Sequence, residues 1–368
     1  MRRLVLAALV FAGVAALSLT APAADPKLHP VPADYQAVID KAHAAMLARQ
    51  NPDGSFAPKL GGPGVTALMA AAFLKAGKSP DDPLVAKCLT YLETSIQKDG
   101  GVYNEGLANY TTCLAVMTFK EANAGGKYDK VIANATKFLR GLQDASADTA
   151  DVKFGGMGYD GKGRPDLSNT QFFVEALLAA GATQDDPAVK KALTFISRSQ
   201  NLPGEFNDQP FAAKATEDDA GGFVYNPTDQ TNAKSDKRTA QGGLRSEGGM
   251  TYAGLKSFLY AGLSKDDPRV KAAVKWIRLH YSVTENPGQG QAGLYYYYTT
   301  FSKAMTALGE DDFADAKGGK HAWRVELFTK LQSMQKPDGS WANANKSFLE
   351  NQPELATAFA VLALGYSR

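Results

Sequence analysis

Residue types suited to proton transfer and ligand capture gather in a few short stretches of this sequence. Thr216-Glu217-Asp218-Asp219-Ala220-Gly221 and Glu247 supply carboxylates, and Asp218, Asp219 and Glu247 are the candidate acids. A carboxyl group that hands a proton to a substrate needs burial and partner hydrogen bonds to keep that proton available. A second set mixes polar and aromatic side chains. Asp166, Ser168, Asn169 and Gln171 fall in PDLSNTQ (165–171), and Tyr252 closes SEGGMTY (246–252). Tyr295, Tyr297 and Tyr298 belong to a run of four tyrosines (295–298), and ENQPE (350–354) is equally polar. Ser168, Asn169 and Thr251 suit helix capping, which leaves the tyrosines unexplained. Tyrosine offers a rigid apolar face with a polar tip, fit for a hydrocarbon chain, a sugar ring or a cation. Successive helix residues lie about 100° apart, so one or two of the four tyrosines face a common site while the others pack.

No metal and no cofactor are expected. The four histidines are His29, His43, His280 and His321, and neither Cys88 nor Cys113 has a histidine set beside it in sequence. A zinc site takes three or four well-spaced ligands. The two cysteines are either a disulfide or two buried thiols, because geometry rather than spacing decides the pairing.

The elements that must position these groups are paired helices. Asp81-Asp82-Pro83, Asp185-Asp186-Pro187 and Asp266-Asp267-Pro268 each precede an amphipathic run, with apolar residues spaced as in Val189, Leu193 and Ile196. Asp as N-cap and Pro at the first helical position start a helix, so these tripeptides carry no chemistry. Gly-rich turns follow: QNPDGSF (50–56), QKDGGVY (97–103) and QKPDGSW (335–341). Beyond each turn comes a helix that is apolar around its whole circumference, such as TALMAAAFLKAG or ELATAFAVLALG, as a helix buried on most sides should be.

First helices begin near Tyr35, Leu84, Lys130, Ala188, Arg269 and Lys320, and their partners near Val65, Asn109, Asn169, Met250, Tyr295 and Glu354. The economical closure of six such pairs is an all-α fold, an (α/α)6 toroid with the buried class as the inner ring. An open solenoid would want polar capping repeats, yet the last helix is as apolar as the middle ones. The starts of the inner helices then frame the mouth of a central cavity. The longest connection, 201–249, reads as a lid over it. The Gly-rich segment 155–161 lacks the strand–turn–helix setting of a nucleotide loop.

The turn QKPDGSW, with QNPDGSF and QKDGGVY as weaker copies, resembles the Gln–Trp repeat of squalene–hopene cyclases and is similar to the repeats of protein prenyltransferase β-subunits. The resemblance extends over nearly all of residues 25–368. It implies an α/α toroid in which Gln335 and Trp341, Gln50 and Phe56, and Gln97 and Tyr103 tie successive pairs together. It implies also an isoprenoid-like ligand in the central cavity, with acid-initiated carbocation chemistry if the protein is an enzyme. Triterpene cyclases protonate with the middle Asp of Asp-x-Asp-Asp-Thr-Ala. TEDDAG puts Asp218 in that place, lacks the first Asp and the Thr, and runs into Gly221-Gly222-Phe223 instead of a helix. The prenyltransferase zinc ligands have no match, and there is one toroid where triterpene cyclases have two barrels.

Two other classes stay open on the residues alone. Toroids of this type also carry glycan lyases and hydrolases, and hydrolysis needs two carboxyls about 5–10 Å apart. Glu105, Asp160, Asp166, Asp219, Glu247 and Glu354 lie near mouth segments and could supply a pair. A non-enzymatic interaction module would instead have its cavity filled by side chains.

Composition bounds the rest. The 368 residues are 44% hydrophobic and 21% charged, enough for a sizeable core. Met1-Arg2-Arg3, an apolar stretch from Leu4 to Leu19 and Ala21-Pro22-Ala23-Ala24 read as a signal peptide over 1–24, so the expectation is export to the periplasm or beyond. No later segment approaches the length of a transmembrane span. Without residues 1–24 the chain has 38 basic against 38 acidic groups, the opposite of a nucleic-acid binder's footprint. Oligomeric state stays open.

Overall fold

The computed structural model describes residues 32–143, 148–161 and 163–368. The expected leader, 1–24, lies outside the described residues.

Six helices form an outer layer: α1 (Tyr35–Leu47), α4 (Pro83–Thr94), α6 (Asp129–Leu142), α8 (Pro187–Arg198), α10 (Pro268–His280) and α12 (Trp323–Met334). Six alternate with them as an inner layer: α3 (Gly64–Lys75), α5 (Ala108–Glu121), α7 (Leu167–Ala179), α9 (Gly248–Tyr260), α11 (Leu294–Leu308) and α13 (Pro353–Tyr366). A one-turn helix, α2 (Pro58–Gly61), precedes α3. Each inner helix packs against the next, and α13 packs against α3, so the ring closes and the open solenoid is excluded. The outer helices bury a single stripe, as in Val189, Ala192, Phe195 and Ile196 of α8. The inner ones are buried nearly all round, as in α11 from Leu294 to Met305.

Asp82, Asp186 and Asp267 cap α4, α8 and α10, accepting from the N–H of Leu84 at 3.0 Å, Ala188 at 2.9 Å and Arg269 at 2.9 Å. The helix expected from Lys320 starts three residues later. Lys320–Ala322 is instead a short strand, β2, paired antiparallel with β1 (Asp312–Ala314).

The turns lock the ring together, and more of them do so than three sequence copies suggested. The side-chain amide of Gln50 donates to the carbonyls of Gly54 and of Leu84 on the next outer helix, both at 3.0 Å. Gln143 does the same to Gly155 and Ala188, Gln200 to Gly221 and Arg269, and Gln335 to Gly339 and Val38. Gln97 departs from this pattern and donates to Tyr103 within its own turn. A threonine completes each lock: Thr66, Thr112, Thr170, Thr251 and Thr357 accept the backbone N–H of Phe56, Val102, Met157, Phe223 and Trp341 at 2.9–3.0 Å. The turn glycines cannot be replaced cheaply. Gly54 (φ 88°) and Gly155 (φ 79°) are left-handed, and a Cβ there would stand 2.3 and 2.0 Å from the carbonyl oxygens of Lys87 and Lys191.

Cys88 and Cys113 are both buried, and both are free thiols. No described helix is long and apolar enough to cross a membrane.

Candidate functional site

The inner helices all run in one direction, because every return stroke is made by an outer helix. Their first turns therefore meet at one mouth, around a cavity of about 480 Å³. Its wall is mainly apolar and aromatic: Val65 and Leu68 from α3, Tyr110 from α5, Tyr296 from α11, and Leu355 and Phe359 from α13. Loops supply Tyr159, Tyr225, Phe348 and Leu349, and the polar members are Ser168, Lys237, Glu247 and Gln289. Four non-glycine residues among those described have positive φ: Ala57, Leu107, Phe348 and Leu349. Three of them line this cavity and Ala57 precedes α2, whose Leu60 and Gly61 also line it. Backbone strain of this kind gathers where a surrounding structure is built for a purpose.

Glu247 precedes α9 and reaches the cavity with its carboxylate against the Lys237 amine at 2.8 Å. Burial raises its pKa, and the Lys237 charge pulls the other way. Ser168 also lines the cavity, and its hydroxyl lies 3.1 Å from the Tyr296 hydroxyl. Tyr296 is held from behind: the Glu350 carboxylate accepts its backbone N–H at 2.8 Å, while Asn343 donates to the other Glu350 oxygen.

The remaining sequence candidates fall elsewhere. Asp218 is not a buried acid; its side chain is 86% exposed on the outer face beside His280. The burial that a proton-donating carboxyl needs is therefore absent at Asp218. Asp219 is buried but serves its own loop, accepting from Ser246 N–H at 2.7 Å and Thr216 Oγ1 at 2.6 Å. Asp166 is the N-cap of α7, in place of the Ser168 or Asn169 expected to cap it. It accepts from the Asn169 N–H at 2.8 Å and the Asn169 amide at 2.9 Å, and burial pushes its pKa up to about 6. Thr251 serves the Phe223 turn instead of capping α9.

Of the tyrosine run, Tyr296 faces the cavity, and Tyr295, Tyr297 and Tyr298 do not. Tyr297 donates to the Ser282 carbonyl at 2.6 Å and Tyr298 to that of Val283 at 2.8 Å, fastening α11 to the preceding loop. Tyr295 packs edge-on against Tyr298, and Tyr252 packs among Tyr297 and Phe301. The 100° spacing says that one or two of the four tyrosines turn inward, but not which. Tyr159, Tyr225 and Lys237 were missed as site residues because they sit on irregular connections, where periodicity carries no signal.

Gln171 lies deeper, among charged residues no motif announced. Its Oε1 accepts from the Lys256 amine. Lys256 and Lys303 each donate to one oxygen of Glu175 at 2.5 Å, and all three side chains are buried. Burial opposes the charge on Glu175, but the two ammonium groups outweigh it and bring its pKa down to about 2. Burial brings that of Lys256 down to about 8, against the attraction of Glu175. Among the described residues, no three His, Cys, Asp or Glu converge as metal ligands.

Residues 33–218 match the squalene-hopene cyclase C-terminal domain; this is half of the chain, and the protein belongs to that family. The toroid is similar to a protein from Actinoplanes, with 13% identity and TM-score 0.53 over 91% of this chain and 99% of that one. It is similar to the type II terpene cyclase MstE from Scytonema in its apo form (13% identity, TM-score 0.52, 90% and 98% covered). It is similar as well to a possible GH105 family member from Salmonella enterica serovar Paratyphi A (10% identity, TM-score 0.53, 93% and 95% covered). At such identities the likeness is one of fold. No curated protein sequence matches this chain.

Proposed function

We propose that the protein binds an isoprenoid-like ligand in the cavity at the inner-helix N-termini, with Glu247 and Lys237 at the polar end. The observation that carries this is the wall itself: Leu68, Tyr110, Tyr296, Leu355 and Phe359 form an apolar sleeve below a single carboxylate–ammonium pair. Phe348 and Leu349, 45% and 46% exposed at its rim, are the apolar surface such a ligand would cover. Segment 201–249 closes over the bound ligand through Tyr225 and Lys237, and residues 1–24 direct export. Glu247, one of the three acids the sequence offered, would donate a proton only in its neutral form, which burial favours and the Lys237 ammonium opposes. The family and the fold of the terpene cyclase neighbour agree with this reading. The glycan reading finds less support, since Glu247 alone of the six carboxylates considered for a hydrolytic pair lines the cavity.

The test is a fluorescence titration with farnesol, geranylgeraniol and an unsaturated uronic acid disaccharide. The isoprenoid alcohols should bind, and Tyr296→Ala should weaken them about tenfold, or 1.4 kcal/mol. Binding of the disaccharide alone, or unchanged farnesol affinity in Tyr296→Ala, would overturn the proposal.

A further inference from the structure

The opposite end of the ring encloses a second cavity, about 340 Å³, that the ligand proposed above does not reach beyond the shared Leu68. Its inner wall is apolar, with Leu114, Met117, Phe172, Leu178 and Leu362. Its charged members are Lys75, Lys120, Lys303, Glu121 and Glu175, and Lys256 stands behind Glu175.

Among the charged side chains at this end, four ammonium groups, of Lys75, Lys120, Lys256 and Lys303, stand against two carboxylates, of Glu121 and Glu175. Glu175 has one oxygen on Lys256 and the other on Lys303, so one carboxylate answers two buried ammonium groups. The Gln171 amide nitrogen beside them is buried and has no acceptor. At the rim, Glu121 approaches Lys75 only to 4.0 Å. The Lys75 and Lys303 amines both lie against the Tyr366 ring, 4.6 and 4.9 Å from its centre, which gathers two ammonium groups around one ring at the cavity edge. Buried charge is tolerated when paired, and an unmatched buried cation calls for an anion. The anion would have charge contacts at one end and apolar walls along the rest.

We propose that this lower cavity is a second binding site, for an amphipathic anion: a carboxylate or phosphate monoester on a short apolar chain. The head group meets Lys303 and Lys75, and the chain lies against Leu114, Met117 and Phe172. The site is independent of the upper cavity and of what that cavity binds.

Calorimetric titration of the full chain with octanoate, octyl phosphate, octanol, acetate and inorganic phosphate tests the proposal. One or both octyl anions should bind at one site, about tenfold or more tighter than octanol, acetate or inorganic phosphate. A carboxylate-only or phosphate-only response identifies the head group. Lys303→Met should weaken the bound anion about tenfold. Lys75→Met, on a partly exposed side chain, should act in the same direction and carries the test if Lys303→Met does not fold. Met117→Trp, which fills the cavity, should abolish octanoate or octyl phosphate binding and leave farnesol titration unchanged. Octanol binding as tightly as the octyl anions, bare acetate or phosphate matching them, or unchanged affinity in Lys75→Met and Met117→Trp would each overturn the site.

Discussion

The side-chain amide of Gln335 donates to the backbone carbonyl of Val38 at 3.0 Å, across 297 positions of sequence. The same residue type makes the same bond between neighbouring outer helices three more times, from Gln50, Gln143 and Gln200. Gln335→Ala removes the donor to the Val38 carbonyl at the seam where the ring closes, so it should lower stability by about 1–3 kcal/mol. Gln200→Ala, deeper in the protein, should cost at least as much. Thermal melts of the two variants beside the parent check this. Unchanged melting in both would show that the seam is held by apolar packing alone.

Thr357 accepts the buried N–H of Trp341 at 3.0 Å. Thr357→Val keeps the shape but leaves that donor without a partner, at an expected cost of about 1–3 kcal/mol. Thr357→Ser should recover most of the loss. Denaturant midpoints of the three proteins give the comparison, and equal midpoints for Val and Ser would assign the threonine a packing role only.

Glu175 has a pKa of about 2 in the folded protein against an ordinary 4.5. Its stabilising contribution is complete above about pH 4.5 and is lost as pH falls towards 2, because the unfolded chain takes up the proton first. Glu175→Gln should therefore flatten the acid limb of the stability curve. It should also destabilise at neutral pH, by roughly 3–5 kcal/mol, because two buried ammonium groups lose their partner. Denaturant titrations from about pH 2.5 to 7 separate the two effects.

Asp166 behaves with the opposite sign. Burial raises its pKa from 3.8 to about 6, so the folded state holds a proton that the unfolded state has lost. Stability should fall as pH rises through that window. Asp166→Asn keeps a capping oxygen and removes the titration, so its stability relative to the parent should improve between about pH 4 and 6.5. A constant difference across that range would mean that Asp166 is already ionised at its lower end.

Neighbouring tyrosines should separate binding from folding. Tyr297→Ala empties a fully buried site and drops the bond to Ser282, so it should cost about 3–5 kcal/mol. Tyr296→Ala, on the cavity wall, should cost less stability and weaken isoprenoid binding. Paired melts and farnesol titrations resolve the two. A Tyr297→Ala protein with parental stability would return that residue to the candidate binding surface.

Most of the architecture was legible because its signals are local. Asp-Asp-Pro starts a helix wherever it stands, and the contrast between one-sided and all-round apolar helices gives two layers. Gln143 and Gln200 escaped notice because their partner glycines lie 12 and 21 residues on, too far for a repeat to show. The candidate site was legible as a region, the mouth at the inner-helix starts, and much less as residues. Ser168 and Glu247 reach the cavity, whereas Asp218 was chosen by likeness to a motif whose burial this chain does not reproduce. The Lys256–Glu175–Lys303 cluster joins three helices, and no single stretch of sequence brings those residues together.

Where the ring closes, the last residue meets the first helix: the Arg368 guanidinium lies 5.7 Å from the Tyr35 ring. The two ends of the described chain are thus neighbours, so the order in which the helix pairs are threaded is a matter of bookkeeping. A short linker from 368 to 32 would make the backbone an endless loop. A cut at the exposed connection near Ser264 or Asp185 would then give a rotated protein with both cavities and every interlocking turn in place.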